Sequence, residues 1–184
     1  MKKYLALILF AAAVVLAGWT FNDYAASGEP IMSAPLTGSA GTLANIELRP
    51  SQAPARAFLI VDYEINVQDE TNDAYTYMLS LKGPAGQDLL QATQTHAVKK
   101  QDQGASYEQL EEKHILGTFA IPQQGIHTLD WSVEANKAMV RSVTFELRGN
   151  VSDLNSSLLL LSGGLFLLGV IVVVSGLKRK RKHG

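Results

Sequence analysis

Residues 59–67, LIVDYEINV, decide the fold class, because apolar side chains occupy every second position. Asp62, Glu64 and Asn66 lie between them, so one side of the segment is apolar and the other is polar. This alternation is typical of a β-strand with one buried face. The sequence around it therefore predicts a mainly β domain.

The same two-residue alternation recurs along the middle of the chain and is interrupted by turn-forming segments rich in Gly, Pro and Asn. About seven strands joined by short turns predict an antiparallel β-sandwich or jelly-roll-like domain over residues 42–149. Phe58, Phe119 and Trp131 are the expected aromatic residues of its core. Between the strands, Ser106 is expected to cap a short helix that runs through Glu112. The further alternating segments are 75–81, 115–121, 127–133 and 143–147, with weaker ones at 42–48 and 88–95, and the turns are 83–86, 122–125 and 135–137.

An uncharged apolar segment follows the β-domain. Residues 158–177 read LLLLSGGLFLLGVIVVVSGL, long enough as a helix to cross the roughly 30 Å hydrocarbon layer of a bilayer. Five cations follow at once in the tail 178–184, and such clusters stay on the cytoplasmic side. The sequence therefore predicts a transmembrane helix with a cytoplasmic C-terminus. The cations are Lys178, Arg179, Lys180, Arg181 and Lys182.

A second apolar segment, residues 4–21, follows Lys2 and Lys3. Two interpretations of residues 1–21 stay open. The segment is either a signal peptide cleaved after Ala17, or an uncleaved signal anchor with Tyr4 at one membrane interface and Trp19 and Phe21 at the other. Residues 22–41 and 150–157 are expected to be linkers on either side of the β-domain.

Charge is sorted along the chain. All 17 acidic residues lie between Asp23 and Asp153, where they outnumber nine basic residues and leave a formal net charge of −8. An acidic region does not suit nucleic acid, which requires a basic surface. The basic termini and the acidic middle together predict a membrane protein with its β-domain on the extracytoplasmic side, and the absence of cysteine favours a bacterial inner membrane.

Small residues recur every seven positions in both apolar segments. Such a stripe lets two helix backbones approach closely. We expect it to form a packing face, either between the two helices or with a partner. The residues are Ala6, Ala13 and Thr20 in the first segment and Ser162, Gly169 and Gly176 in the second.

The sequence contains no recognisable catalytic motif, and we expect no enzyme activity, cofactor or metal. Asp69, Glu70, Asn72 and Asp73 offer oxygen ligands for a weak calcium loop, but their spacing does not match an EF-hand and favours a solvated turn. His127 falls on the apolar side of its strand and is expected to be buried and hydrogen-bonded.

These features favour an accessory or scaffold subunit that contacts the lipid bilayer and binds other proteins of a membrane complex. The alternative is a module that binds a carbohydrate or small molecule through exposed Tyr63, Tyr75 or Tyr77. The least favoured hypothesis is an enzyme whose active site is assembled from scattered loop carboxylates.

Overall fold

The computed structural model describes residues 2–66, 73–98 and 107–181. Within them, helices α1 (Lys2–Ala26) and α2 (Ser156–Arg181) flank eight strands and a short 3-10 helix, Pro50–Gln52. The strands are β1 (Glu29–Leu36), β2 (Ala40–Leu48), β3 (Ala55–Asn66), β4 (Asp73–Lys82), β5 (Asp88–Ala97), β6 (Tyr107–Phe119), β7 (Gly125–Ala135) and β8 (Met139–Gly149).

The strands form two four-stranded sheets in which every pairing is antiparallel. One sheet has the order β1-β8-β3-β6 and the other has the order β2-β7-β4-β5. A single apolar core contains inward-facing residues of both sheets. The predicted mainly β, antiparallel class is confirmed, and the arrangement is consistent with a β-sandwich.

The core follows from the alternation read in the sequence. In β3, Leu59, Val61 and Tyr63 are fully buried, while the intervening Asp62 and Glu64 are partly exposed. Trp131 and Phe119 belong to the same core, as expected. Because each strand contributes one apolar face, two such sheets can bury their apolar faces against each other.

The predicted boundary of the β-domain is wrong at its N-terminal side. Residues 22–41 were expected to be a linker, yet they contain the end of α1, all of β1 and the start of β2. Pro30 and Pro35 caused the error, since proline usually interrupts strands. β1 tolerates them because it is an edge strand, paired only with β8.

The expected helix through Glu112 is also wrong, because β6 begins at Tyr107 and pairs with β3 along its whole length. Ser106 itself lies outside the described residues. Pairing with a buried central strand overrides a weak local capping signal.

Phe58 is buried, but it lies outside the main core. It occupies the opposite face of β3 from Leu59, where Lys113 lies 4.3 Å and Arg148 lies 5.4 Å from the centre of its ring. These cations cover the ring and remove it from water.

Candidate functional site

The two helices form a compact unit and pack against each other. Ala6, Ala13, Thr20 and Ser162 are buried there, whereas most of the large apolar residues of both helices are exposed. The Ser162 hydroxyl donates a 2.9 Å hydrogen bond to the carbonyl oxygen of Ala13. The small side chains therefore lie at the contact between the helices, where close approach requires them.

The helices run antiparallel. Ser162 contacts Ala13, whereas Phe166, one turn further along α2, packs against Phe10 with the rings tilted and their centres 5.1 Å apart. Gly169 continues this line, since a Cβ atom placed on it would lie 2.7 Å from the Phe10 ring. Glycine at 169 is thus required by the close approach of Phe10.

Antiparallel packing brings the start of α1 and the end of α2 to the same end of the helix pair. Lys2 and Lys3 belong to the first turn of α1, and Lys178 to Arg181 belong to the last turns of α2. Gly176 lies just before them. The side chains of these residues are outside the described part of the structure, as is the whole of Lys182.

Both helices are long and apolar enough to cross a membrane, with candidate spans Tyr4–Ala26 and Ser156–Ser175. Tyr4, Trp19 and Phe21 are each more than half exposed on the surface of α1. Tyr4 lies near one end of that helix, and the other two lie towards its opposite end.

The predicted calcium loop lies almost entirely outside the described residues. Asp69, Glu70 and Asn72 are not described, and Asp73 is the exposed first residue of β4. Within residues 2–66, 73–98 and 107–181, no group of three or more His, Asp or Glu residues is placed to hold a metal ion.

His127 is fully buried, and its Nδ1 lies 3.0 Å from the carbonyl oxygen of Gly125, which confirms the expected buried role. Tyr63, Tyr75 and Tyr77 are also buried, with 2% or less of each residue exposed. They therefore offer no exposed aromatic platform for a sugar ring.

These tyrosines instead join two histidines in a cluster that sequence reasoning missed, the Tyr–His cluster of Tyr63, Tyr75, Tyr77, His96 and His114. The Tyr63 hydroxyl lies 3.0 Å from His96 Nε2, and the Tyr75 hydroxyl lies 2.6 Å from His114 Nε2. The two imidazole rings are 5.1 Å apart, and Tyr75 stacks on His96 at the same distance. The cluster is therefore one continuous set of ring contacts and hydrogen bonds.

A bulge in β6 creates this cluster. Ala57 pairs with Gly117 but Phe58 pairs with Ile115, so Leu116 is an extra residue on β6. The extra residue reverses which side chains of β6 face inward. Ile115, expected in the core, is 43% exposed, and His114 and Glu112 lie opposite the inward-facing Leu59 and Val61. In the sequence, the available sign of this placement was the spacing of two residues between Glu112 and His114, which puts both side chains on one face of a strand.

The electrostatics of the cluster follow from its burial. Burial, with a smaller contribution from the charge of Glu112, raises the pKa of Tyr63 to about 12. Burial, and then the neighbouring Tyr63, Glu112 and Tyr77, raise the pKa of Tyr75 further. Burial, and then the nearby His96, lower the pKa of His114 below its usual value, although Glu112 opposes this shift. The phenols thus stay protonated, and Nε2 of an unprotonated His114 is a matching acceptor for the Tyr75 hydroxyl.

A groove of about 1110 Å³ lies between the β1–β2 connection and the β7–β8 turn. Glu134 and Arg141 are its charged lining residues, and Met139 is exposed in it. It contains no aromatic ring, so it lacks the stacking surface that sugar-binding grooves use.

No known protein family and no curated protein matches the chain. Solved structures with similar parts include an α-L-fucosidase from a Vibrio species, with 14% identity over 64% of this chain and a TM-score of 0.33. The chain spans only 23% of that enzyme. A xylan-binding domain from Paenibacillus barcinonensis matches with 12% identity over 69% of this chain and 98% of its own, at a TM-score of 0.27. Likenesses this distant assign no function.

Proposed function

We propose that this chain is a non-catalytic membrane protein that displays an acidic, jelly-roll-like domain on the extracytoplasmic side and acts as an accessory or scaffold subunit. The observation that carries this proposal is the antiparallel packing of α1 on α2, through Ser162 on Ala13 and Phe166 on Phe10. Two apolar helices paired in this way form a hairpin that fits across one bilayer.

The charge distribution supports the orientation. The hairpin brings Lys2, Lys3 and the cluster beginning at Lys178 to one end, and basic segments next to transmembrane helices stay in the cytoplasm. The domain between the helices then lies outside. Eight strands ordered 1-8-3-6 and 2-7-4-5 support the jelly-roll assignment, because β1, β2 and β3 alternate between the two sheets.

The acidic domain supports a protein partner. The segment from Asp23 to Asp153, which contains the domain, has a formal net charge of −8, and this favours association with a basic surface, since complementary charge speeds encounter and selects partners. In a scaffold subunit, the sandwich surface, the outer faces of the hairpin or both would make the contacts.

The cysteine-free chain allows a direct test of the topology. Thr37→Cys lies in the exposed β1–β2 connection, and His183→Cys lies in the basic tail. A membrane-impermeant maleimide should label Thr37→Cys in intact cells and His183→Cys only after the membrane is permeabilised. The opposite pattern would refute the orientation.

Two further measurements test the remaining parts of the proposal. The intact mass of membrane-extracted protein should correspond to the uncleaved chain, whereas loss of residues 1–17 would establish cleavage and remove the hairpin. Purification in mild detergent after crosslinking should yield a stoichiometric protein partner. Recovery of a solitary monomer would contradict the scaffold role.

A further inference from the structure

Strands β5 and β6 form one side of the β-domain. Each is the edge strand of its sheet, since among the described strands β5 pairs only with β4 and β6 pairs only with β3. The two strands face each other across the sheets. On this side the two sheets meet through side chains, because no backbone ladder joins β5 to β6.

Those side chains are unusually polar for the inside of a β-domain. Positions paired with buried core residues hold Gln94 and His96 on β5, and Glu112 and His114 on β6; Gln94 is exposed and the other three are partly buried. The Tyr77 hydroxyl donates a 2.9 Å hydrogen bond to Oε1 of Gln94. The β5–β6 side is thus closed by hydrogen bonds between tyrosines and polar side chains as well as by apolar contact.

The groups around His114 come from four strands. Tyr75 and Tyr77 on β4 and His96 on β5 contact its ring, and Glu112 lies two residues away on β6. Tyr63 on β3 completes the cluster through its contacts with Tyr75 and His96. The His96 ring is 5.1 Å from the His114 ring, so the two imidazoles repel each other when both are charged.

We propose that the β5–β6 side is an acid-sensitive seam, closed while His114 is neutral and opened when His114 takes up a proton. In the proposed closed form, His114 has the neutral tautomer whose Nε2 carries no hydrogen and accepts the hydrogen bond of the Tyr75 hydroxyl, 2.6 Å away. Protonation places a hydrogen on that nitrogen and a charge inside a half-buried cluster, so it removes the acceptor and adds a desolvation cost.

The direction of the pH dependence follows from burial. Burial, and then His96, lower the pKa of His114 below its ordinary value of 6.5, and the opposing charge of Glu112 is too weak to reverse this. An opened seam exposes the ring to water, where it binds a proton more readily. Opening is therefore favoured as the pH falls below about 6.5, by up to about tenfold per pH unit for one proton, until the closed form is itself protonated.

The seam lies within the β-domain, so this inference holds on either side of a membrane and does not rest on the proposed function. If the domain is extracytoplasmic, the seam responds to the acidity of the medium. Opening would expose the edges of β5 and β6, which are surfaces able to pair with another strand.

Hydrogen exchange of the full chain in detergent micelles tests the seam. Between pH 7.5 and pH 5.0, after correction for intrinsic exchange, amides of β5 and β6 should lose protection by up to about tenfold per pH unit below 6.5. Amides of β1, β2 and β8 should keep theirs. Equal loss in all strands, or no loss in β5 and β6, would overturn the proposal.

Three variants separate His114 from other titrating groups. His114→Gln keeps an acceptor for Tyr75 but does not titrate, so the pH response of β5 and β6 should disappear. His127→Gln removes another buried histidine, on β7, and should leave the response intact.

Glu112→Gln provides a test that does not alter His114, should His114→Gln fail to fold. Loss of this carboxylate removes a charge that favours the protonated ring, so the closed form takes up its proton only at a lower pH. The amides of β5 and β6 should therefore keep losing protection down to a lower pH than in the unsubstituted protein. An unchanged profile in Glu112→Gln, or a full response in His114→Gln, would refute the assignment.

Discussion

The close approach of the helices at Gly169 allows a quantitative prediction. A Cβ atom on Gly169 would lie 2.7 Å from one carbon of the Phe10 ring and 3.0 Å from another. Carbon atoms pack at about 3.5–4.0 Å, so the ring would have to retreat by about 1 Å from its contact with Phe166. Overpacking of this kind costs about 1–3 kcal/mol, and Gly169→Leu should destabilise the helix pair by that amount.

Gly163→Leu is the matched control. It adds the same side chain to the same helix, but a Cβ atom on Gly163 has nothing within 4 Å. The two variants therefore share the gain in helix propensity and in apolar surface, and only Gly169→Leu disturbs the contact with α1.

A disulfide between Ala13→Cys and Ser162→Cys reports on the pairing, because Ser162 contacts Ala13 directly and the chain has no other cysteine. Oxidative trapping across an SDS titration gives the SDS fraction at which pairing is half lost. Gly169→Leu should lower this midpoint. The corresponding weakening of the pairing equilibrium is roughly 5- to 150-fold, which is the free-energy loss given above expressed as an equilibrium constant. Equal midpoints for the two leucine variants would show that the contact with Phe10 does not stabilise the pair.

Two further predictions concern the β-domain. Leu59→Ala, at a fully buried position, should lower the free energy of unfolding by about 2–5 kcal/mol, measured by chemical denaturation followed by intrinsic fluorescence. Met78→Ala, at a position that is 55% exposed, should change it by less than about 0.5 kcal/mol. Similar losses for the two variants would contradict the assigned core. Burial disfavours the charged form of Glu146, but hydrogen bonds from Lys113 and Arg148 outweigh this effect and hold the pKa of Glu146 below 4.5. The stability that the charged carboxylate contributes above pH 4.5 is therefore lost as the pH falls through the lowered pKa. Glu146→Gln should flatten the pH profile of the melting temperature in this range, and an unaltered profile would rule out this carboxylate as the cause.

The helices and most strands could be predicted because each follows from a single repeated property. Residues 158–177 are apolar on every side, and residues 59–65 are apolar at every second position. Both patterns are local, so no knowledge of the partner element is needed to read them. The core positions of β3, β4 and β7 follow from the same alternation.

The Tyr–His cluster could not be predicted because its placement depends on the bulge at Leu116. Gly117 follows the bulge with a φ of +152° and lies against Leu90, where a side chain would clash. The sequence shows a glycine within an alternating segment, which fits both an uninterrupted strand and a bulge. Only the pairing of β6 with β3 distinguishes them, and the choice determines whether Ile115 or His114 faces the interior.

Inward-facing polar residues at an edge have a second explanation, because they also discourage an edge strand from pairing with another molecule. The two explanations require different properties of His114. Protection of the edge requires only a polar side chain, so His114→Gln would preserve it at every pH. The acid-sensitive seam requires a group that changes charge, so the same variant would abolish it. Because the Tyr75 hydroxyl lies 2.6 Å from His114 Nε2, a proton taken up by this imidazole would act directly on that hydrogen bond, a coupling that edge protection alone does not need.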